Sequence, residues 1–109
     1  MNALPQERKD FRELFEIAKG FRSGMLESKP SSAMCFAICA PLEGYLSFCG
    51  YDCRLVKGDV GDWEHFWIAL SDGRIIDPTA DQFSNPEGIK MPQIYIGPKP
   101  SWYGEGSPA

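Results

Sequence analysis

A single histidine, His65, is all the imidazole this 109-residue chain carries. No site that needs two histidines can form, and any proton shuttle working near neutral pH has to use that one ring. Positive charge is scarce as well. Eleven lysines and arginines stand against 15 acidic residues, a net charge of −4, and no basic run offers a surface for phosphates, which argues against nucleic acid as a partner. Long apolar runs are missing. The longest, Ala33 to Leu42, is broken by Pro41 and falls far short of the ~20 residues that a bilayer requires, so no membrane partner is expected. The opening residues show no basic stretch leading into an apolar core, so no signal peptide is predicted and the cytoplasm is the expected location. Export as an effector or toxin by a signal-independent route stays open.

What is present fits one globular domain. Apolar residues make up 43% and charged residues 24% of the chain, too apolar and too lightly charged for disorder. A chain of this length buries about two-thirds of its unfolded surface, enough for one core without staples. Residues 1–97 are expected to form that domain. Residues 98–109, rich in glycine and proline, read as a mobile tail. Four cysteines in a reducing compartment are free thiols, metal ligands or a nucleophile before they are disulfides.

The period of the apolar residues divides the chain. Phe11, Leu14, Phe15 and Ala18, with Phe21 beyond, fall at helical spacing and predict an amphipathic helix from residue 5 to about 22, ended by Gly20 or Gly24. After a Ser/Gly-rich loop, Ser31 or Ser32 suits the N-cap of a second helix. Met34, Cys35, Phe36, Ile38, Cys39 and Leu42 make that helix apolar on nearly all sides, hence central and buried. Pro41 favours a kink, beyond which the helix resumes through Leu46 and Phe48 to Gly50. From Cys53 the period becomes two. Strands are predicted at Cys53–Lys57, His65–Leu70 and Arg74–Asp77, and Ile94–Ile96 suits a short edge strand. Helices first and antiparallel strands after define an α+β fold.

Cys35 lies in the first turn of the second helix, where backbone N–H groups and the helix dipole favour a thiolate and where the same amides can hold an oxyanion. His65 opens one strand and Asp77 closes the next, so the hairpin register decides whether they meet. A two-residue loop, Asp72-Gly73, puts them on opposite faces of the sheet. A three-residue loop, Ser71-Asp72-Gly73 with Gly73 left-handed, sets Trp67 opposite Asp77 and makes His65 its diagonal neighbour, roughly 7–8 Å away at Cα. The three-residue loop is the expected one. The thiol, the base and the carboxylate orienting it then form a triad, provided that the His65 ring is not carried to the sheet face away from the helix.

The residues in this order are Cys35, Gly-Tyr-Asp-Cys-Arg-Leu-Val-Lys-Gly from Gly50, His65-Phe-Trp67, and Asp-Gly-Arg-Ile-Ile-Asp77-Pro-Thr79. Over residues 31 to 83, about half the chain, the pattern resembles the transglutaminase-like branch of papain-fold cysteine enzymes. The resemblance implies a papain-like core with a small antiparallel sheet and a Cys35-His65-Asp77 triad. It also implies hydrolysis, deamidation or acyl transfer at a carboxamide or peptide bond, with a protein or peptide as substrate and neither cofactor nor metal required. Trp63, Trp67 and Gln82 are candidate substrate-binding residues. The two tryptophans equally suit core or pocket wall, Gln82 a loop amide, and Asp77 a turn former before Pro78.

Two readings of other classes compete. One is a binding module that keeps the fold without turnover. The other is a zinc-stapled structural domain using Cys35, Cys39, Cys49 and Cys53, whose spacing is a zinc signature only in outline. Cys49 and Cys53 flank the Gly50 turn and also suit a redox pair. Cys39, one turn deeper in the helix than Cys35, reads as core packing.

Overall fold

The computed structural model describes residues 5–26 and 34–109, without the side chains of 5–9, 25 and 26. Two helices, α1 (Pro5–Leu26) and α2 (Cys35–Phe48), precede strands β1 (Cys53–Val60), β2 (Trp63–Leu70) and β3 (Arg74–Asp77). A short 3-10 turn at Ala80–Gln82 follows, then β4 (Tyr95–Pro98) and β5 (Ser107–Pro108). The strands form one antiparallel sheet in the order β4-β3-β2-β1-β5. The chain is therefore an α+β domain, as its pattern of periods predicts. Among the described residues no helix is long and apolar enough to cross a membrane.

Alternation along β2 sorts its side chains into two cores. Phe66, Ile68 and Leu70 face the helices and join Leu14 and Ala18 of α1, Cys39, Leu42 and Leu46 of α2, and Ile76 and Ile94. Trp67 and Ala69 face the other way, with Val56, Val60, Ile75, Phe83 and Tyr103. The second core exists because the C-terminal segment covers it. Residues 98–109, read from composition as a tail, are instead part of the sheet. Ser107 and Pro108 pair with Lys57 and Val56, Tyr103 bridges Val60, and the Gly104 N–H donates to the Asp59 carbonyl at 2.7 Å. Glycines make this close approach possible. A Cβ on Gly106 would overlap Val56, and one on Gly58 would lie 2.5 Å from the Trp67 ring. Gly58 thus sits inside β1, where composition alone marks the strand's end.

Other boundaries shift for comparable reasons. α1 runs through Gly20 and Gly24 to Leu26, both glycines having open space around them. α2 starts at Cys35 after Met34, which caps without a side-chain hydrogen bond, so neither expected serine is the N-cap; Ser31 and Ser32 lie outside the described residues. The helix continues through Pro41 to Phe48. Pro41 is exposed, so water can serve the carbonyl that its missing N–H leaves over. The expectation of a helix buried all round fails. Ile38, Cys39, Leu42 and Leu46 are buried at i, i+4 spacing, whereas Phe36, Tyr45 and Phe48 are exposed.

Candidate functional site

The β2–β3 turn sets the register. Gly73 takes φ +94°, its N–H bonds the Leu70 carbonyl at 3.1 Å, and Asp72 Oδ1 accepts the Arg74 N–H at 3.0 Å. Ile68 pairs with Ile76 and Ala69 with Ile75, so Leu70 stands opposite Arg74 and Trp67 opposite Asp77. This is the three-residue loop with left-handed glycine, and it puts His65 and Asp77 on one face.

The two meet in the core. The His65 Nε2–H donates to Asp77 Oδ2 at 2.8 Å, with both residues essentially inaccessible to solvent at 1% and 0% exposure. Asp77 accepts three further hydrogen bonds. The Tyr103 hydroxyl reaches the same Oδ2 at 2.6 Å, and Thr79 gives its N–H at 3.0 Å and its hydroxyl at 3.4 Å to Oδ1. Gln82 Nε2 in turn donates to the Thr79 carbonyl and hydroxyl at 3.1 and 3.2 Å. Gln82 therefore holds the carboxylate's support. The carboxylate is fixed from both sides, and with Nε2 committed to it, Nδ1 is the ring nitrogen left for the thiol.

Alternation carries the His65 ring to the face of Trp67, away from the apolar face of α2. The Cys35 thiol and the imidazole still influence each other's ionisation, and β3, which ends at Asp77, leaves the edge of β2 beyond Trp67 uncovered. The first turn of α2 crosses there, with Phe36 edge-on to Phe66 at 5.0 Å between ring centres. Cys39 Sγ donates to the Phe66 carbonyl at 3.6 Å. Burial pushes the Cys35 thiol up, but a hydrogen bond from His65, the backbone of Phe66 and Phe36, and the charge of the imidazolium outweigh it and bring the thiol below its ordinary value. A thiolate can only accept, so the backbone groups acting on it are N–H donors.

The reciprocal effect falls on His65. Burial pushes the imidazole down, while its hydrogen bonds to Asp77 and Cys35 and the charges of those groups push it up, to about 9. Both shifts run in the direction of a thiolate–imidazolium pair. Cys39 differs, since burial, reinforced by the charges of Asp77 and Cys35, pushes its thiol well above the ordinary range. It is a buried packing residue with one weak hydrogen bond.

The remaining candidates separate. Trp67 is buried against Tyr103, ring centres 5.4 Å apart. Trp63, two residues ahead of His65 on the same face, is exposed and free to touch a substrate. Cys49 is exposed, and Cys53 Sγ lies 3.6 Å from the Ser47 hydroxyl. All four cysteines are free thiols. Among the described residues no group of three or more His, Cys, Asp or Glu side chains converges to hold a metal ion, which removes the ligand set a zinc staple needs.

Two residues belong to the site's construction without a sequence signal that singles them out. Tyr103 sits in the segment whose composition reads as a tail. Arg22, on the polar side of α1, makes a bidentate pair with Asp81 at 2.9 and 3.0 Å and donates to the Pro78 carbonyl at 2.9 Å. It ties the first helix to the turn that follows Asp77. Open concavities lie elsewhere among the described residues. A groove of about 470 Å³ runs along Ile17, Phe21 and Tyr45, and another of about 300 Å³ lies near Arg54, Arg74 and Lys99. Neither includes a triad residue. Compared with family models, curated proteins and solved structures, the chain matches none.

Proposed function

We propose that the chain is a thiol-dependent hydrolase or acyltransferase acting on a carboxamide or peptide bond, on a core of papain-like, transglutaminase-like type. The observation that carries the reading is the buried His65–Asp77 pair at 2.8 Å beside a thiol whose ionisation that imidazole favours. Cys35 Sγ attacks the carbonyl carbon as a thiolate, forming the C–S bond. The oxyanion that develops lies against the first turn of α2, where the amides of Cys35, Phe36 and Ala37 have no intrahelical acceptor. As the C–N bond breaks, the Nδ1–H of the imidazolium passes its proton to the departing amine. Water or an amine then attacks the thioester, Nδ1 takes its proton, and Cys35 leaves as the thiolate. Asp77 keeps Nε2 protonated throughout, which is the tautomer this cycle needs.

Support comes from the register, from the dry Asp77 environment and from the position of Cys35 as the first residue of its helix. Iodoacetamide labelling with identification of the modified peptide tests the reading. Cys35 should react well below pH 8 and ahead of Cys39, Cys49 and Cys53, and His65→Ala should remove that advantage. If all four thiols react alike, as ordinary thiols, the catalytic reading fails and a binding module without turnover takes its place.

A further inference from the structure

We propose that Tyr103 is a positioning residue for this triad, reaching it from the C-terminal segment and setting the strength with which Asp77 holds His65. The proposal rests on the Cys35-His65-Asp77 reading and extends it to a fourth member, 26 residues beyond the carboxylate. The Tyr103 hydroxyl donates to Oδ2 at 2.6 Å, the same oxygen that takes the His65 Nε2–H at 2.8 Å. Two donors on one oxygen divide its charge between them. Tyr103 therefore draws Oδ2 partly away from the imidazolium while fixing the carboxylate's orientation. An imidazole that gripped its proton still harder would release it poorly to a leaving amine.

The phenol is built for this task. Its ring is 1% exposed and packs edge-on against Trp67 and Trp102 at 5.4 and 4.9 Å between centres. Its backbone is pinned on both sides, by the bridge to Val60 and by Lys99 Nζ, which donates to the Tyr103 and Gly104 carbonyls at 3.1 Å each. Burial and the neighbouring Asp77 charge push the hydroxyl well above its ordinary range, so it remains a donor at every pH at which the triad works.

The single histidine makes the test direct, because one imidazole resonance reports His65 without assignment. NMR titration is performed on the wild type, on Tyr103→Phe, and on the full chain with 3-fluorotyrosine at position 103. The fluorinated ring keeps the shape and gives a stronger donor. Removing the donor should raise the His65 pKa by about 0.7 unit, the equivalent of about 1 kcal/mol at 1.36 kcal/mol per unit. The stronger donor should lower it. A purely structural tyrosine predicts no such opposed pair of shifts. A wild-type His65 that titrates at the ordinary 6.5 overturns the triad reading and this proposal with it. A raised wild-type value that neither change moves overturns the role of Tyr103 alone. If Tyr103→Phe fails to fold, the fluorinated chain still decides.

Discussion

Replacing Asp77 by asparagine removes one charge and keeps the shape, and the four hydrogen bonds on its oxygens set what must follow. Oδ2 takes donors from His65 and Tyr103, and Oδ1 takes two from Thr79. An asparagine has one oxygen and one NH2 group for these places. With its oxygen toward His65 and Tyr103, the NH2 faces the Thr79 N–H at 3.0 Å. Two buried donors then oppose each other, at a cost of about 1–3 kcal/mol. With its oxygen toward Thr79, the NH2 donates to Nε2 and to the Tyr103 oxygen, but the buried Tyr103 O–H, which donates to Oδ2 in the wild type, loses that acceptor. That second arrangement needs His65 in the Nδ1–H tautomer, in which the nitrogen facing Cys35 can no longer take a proton. Asp77→Asn should therefore lose about 1–3 kcal/mol of stability by either route, since each leaves a buried donor without an acceptor, and lose thiol activation by either. At pH 7 the alkylation rate of Cys35 should fall by up to about a hundredfold, the ratio between a fully ionised thiol and one at the ordinary value of 9.0. Denaturant melts and the pH profile of iodoacetamide labelling read the two effects separately. A folded Asp77→Asn protein with the wild-type labelling profile would refute the orienting role of the carboxylate.

Two further variants probe how the site is held. Gly106→Ala forces a methyl group into Val56 and against the Trp67 ring, so it should cost about 1–3 kcal/mol in stability and lift the C-terminal segment. Hydrogen exchange at the Gly104 amide, bonded to the Asp59 carbonyl, would report that opening. Arg22→Met removes a largely buried bidentate pair with Asp81 and leaves the carboxylate and two backbone carbonyls short of a donor. Thermal melts should show a loss of about 2–3 kcal/mol, with the Cys35 labelling profile at neutral pH keeping its form if Arg22 only anchors the helix.

Several parts of this architecture are written locally. The three-residue turn follows from Ser71-Asp72-Gly73, because a glycine able to take positive φ and an aspartate able to cap Arg74 N–H select one turn type. With the turn fixed, period-two alternation brings His65 to Asp77. The place of Cys35 in a first helical turn agrees with the expectation, although Met34 and not a serine precedes the helix. Long-range events were not legible. Composition marks 98–109 as loose, since proline and glycine disfavour most regular structure. The glycines at 104 and 106 serve instead to let one backbone lie close on another, and nothing near Tyr103 in sequence announces a partner 26 residues back. The apolar character of α2 overstated its burial for the same reason. Residue type shows what a helix face can bury, and only the neighbouring elements decide that Ile38 and Leu42 are covered while Phe36 and Phe48 are exposed.

Titrating the single imidazole with and without its thiol shows whether Cys35 and His65 share one proton as a thiolate–imidazolium pair. His65 in the wild type should titrate at about 9, and Cys35→Ala should lower this value, because it removes the hydrogen bond and the charge that the thiolate supplies while Asp77 stays in place. For a histidine held high, the protonated form contributes its stability fully below the unfolded value of 6.5 and loses it as the pH rises through about 9. In the wild type the ion pair cancels much of this dependence, since the proton that His65 gains is the one that Cys35 has given up. Cys35→Ala exposes it, so the variant's stability should decline between pH 6.5 and its own His65 pKa. A wild-type imidazole at or below 6.5, or one whose pKa is unmoved by Cys35→Ala, would mean that no such pair forms.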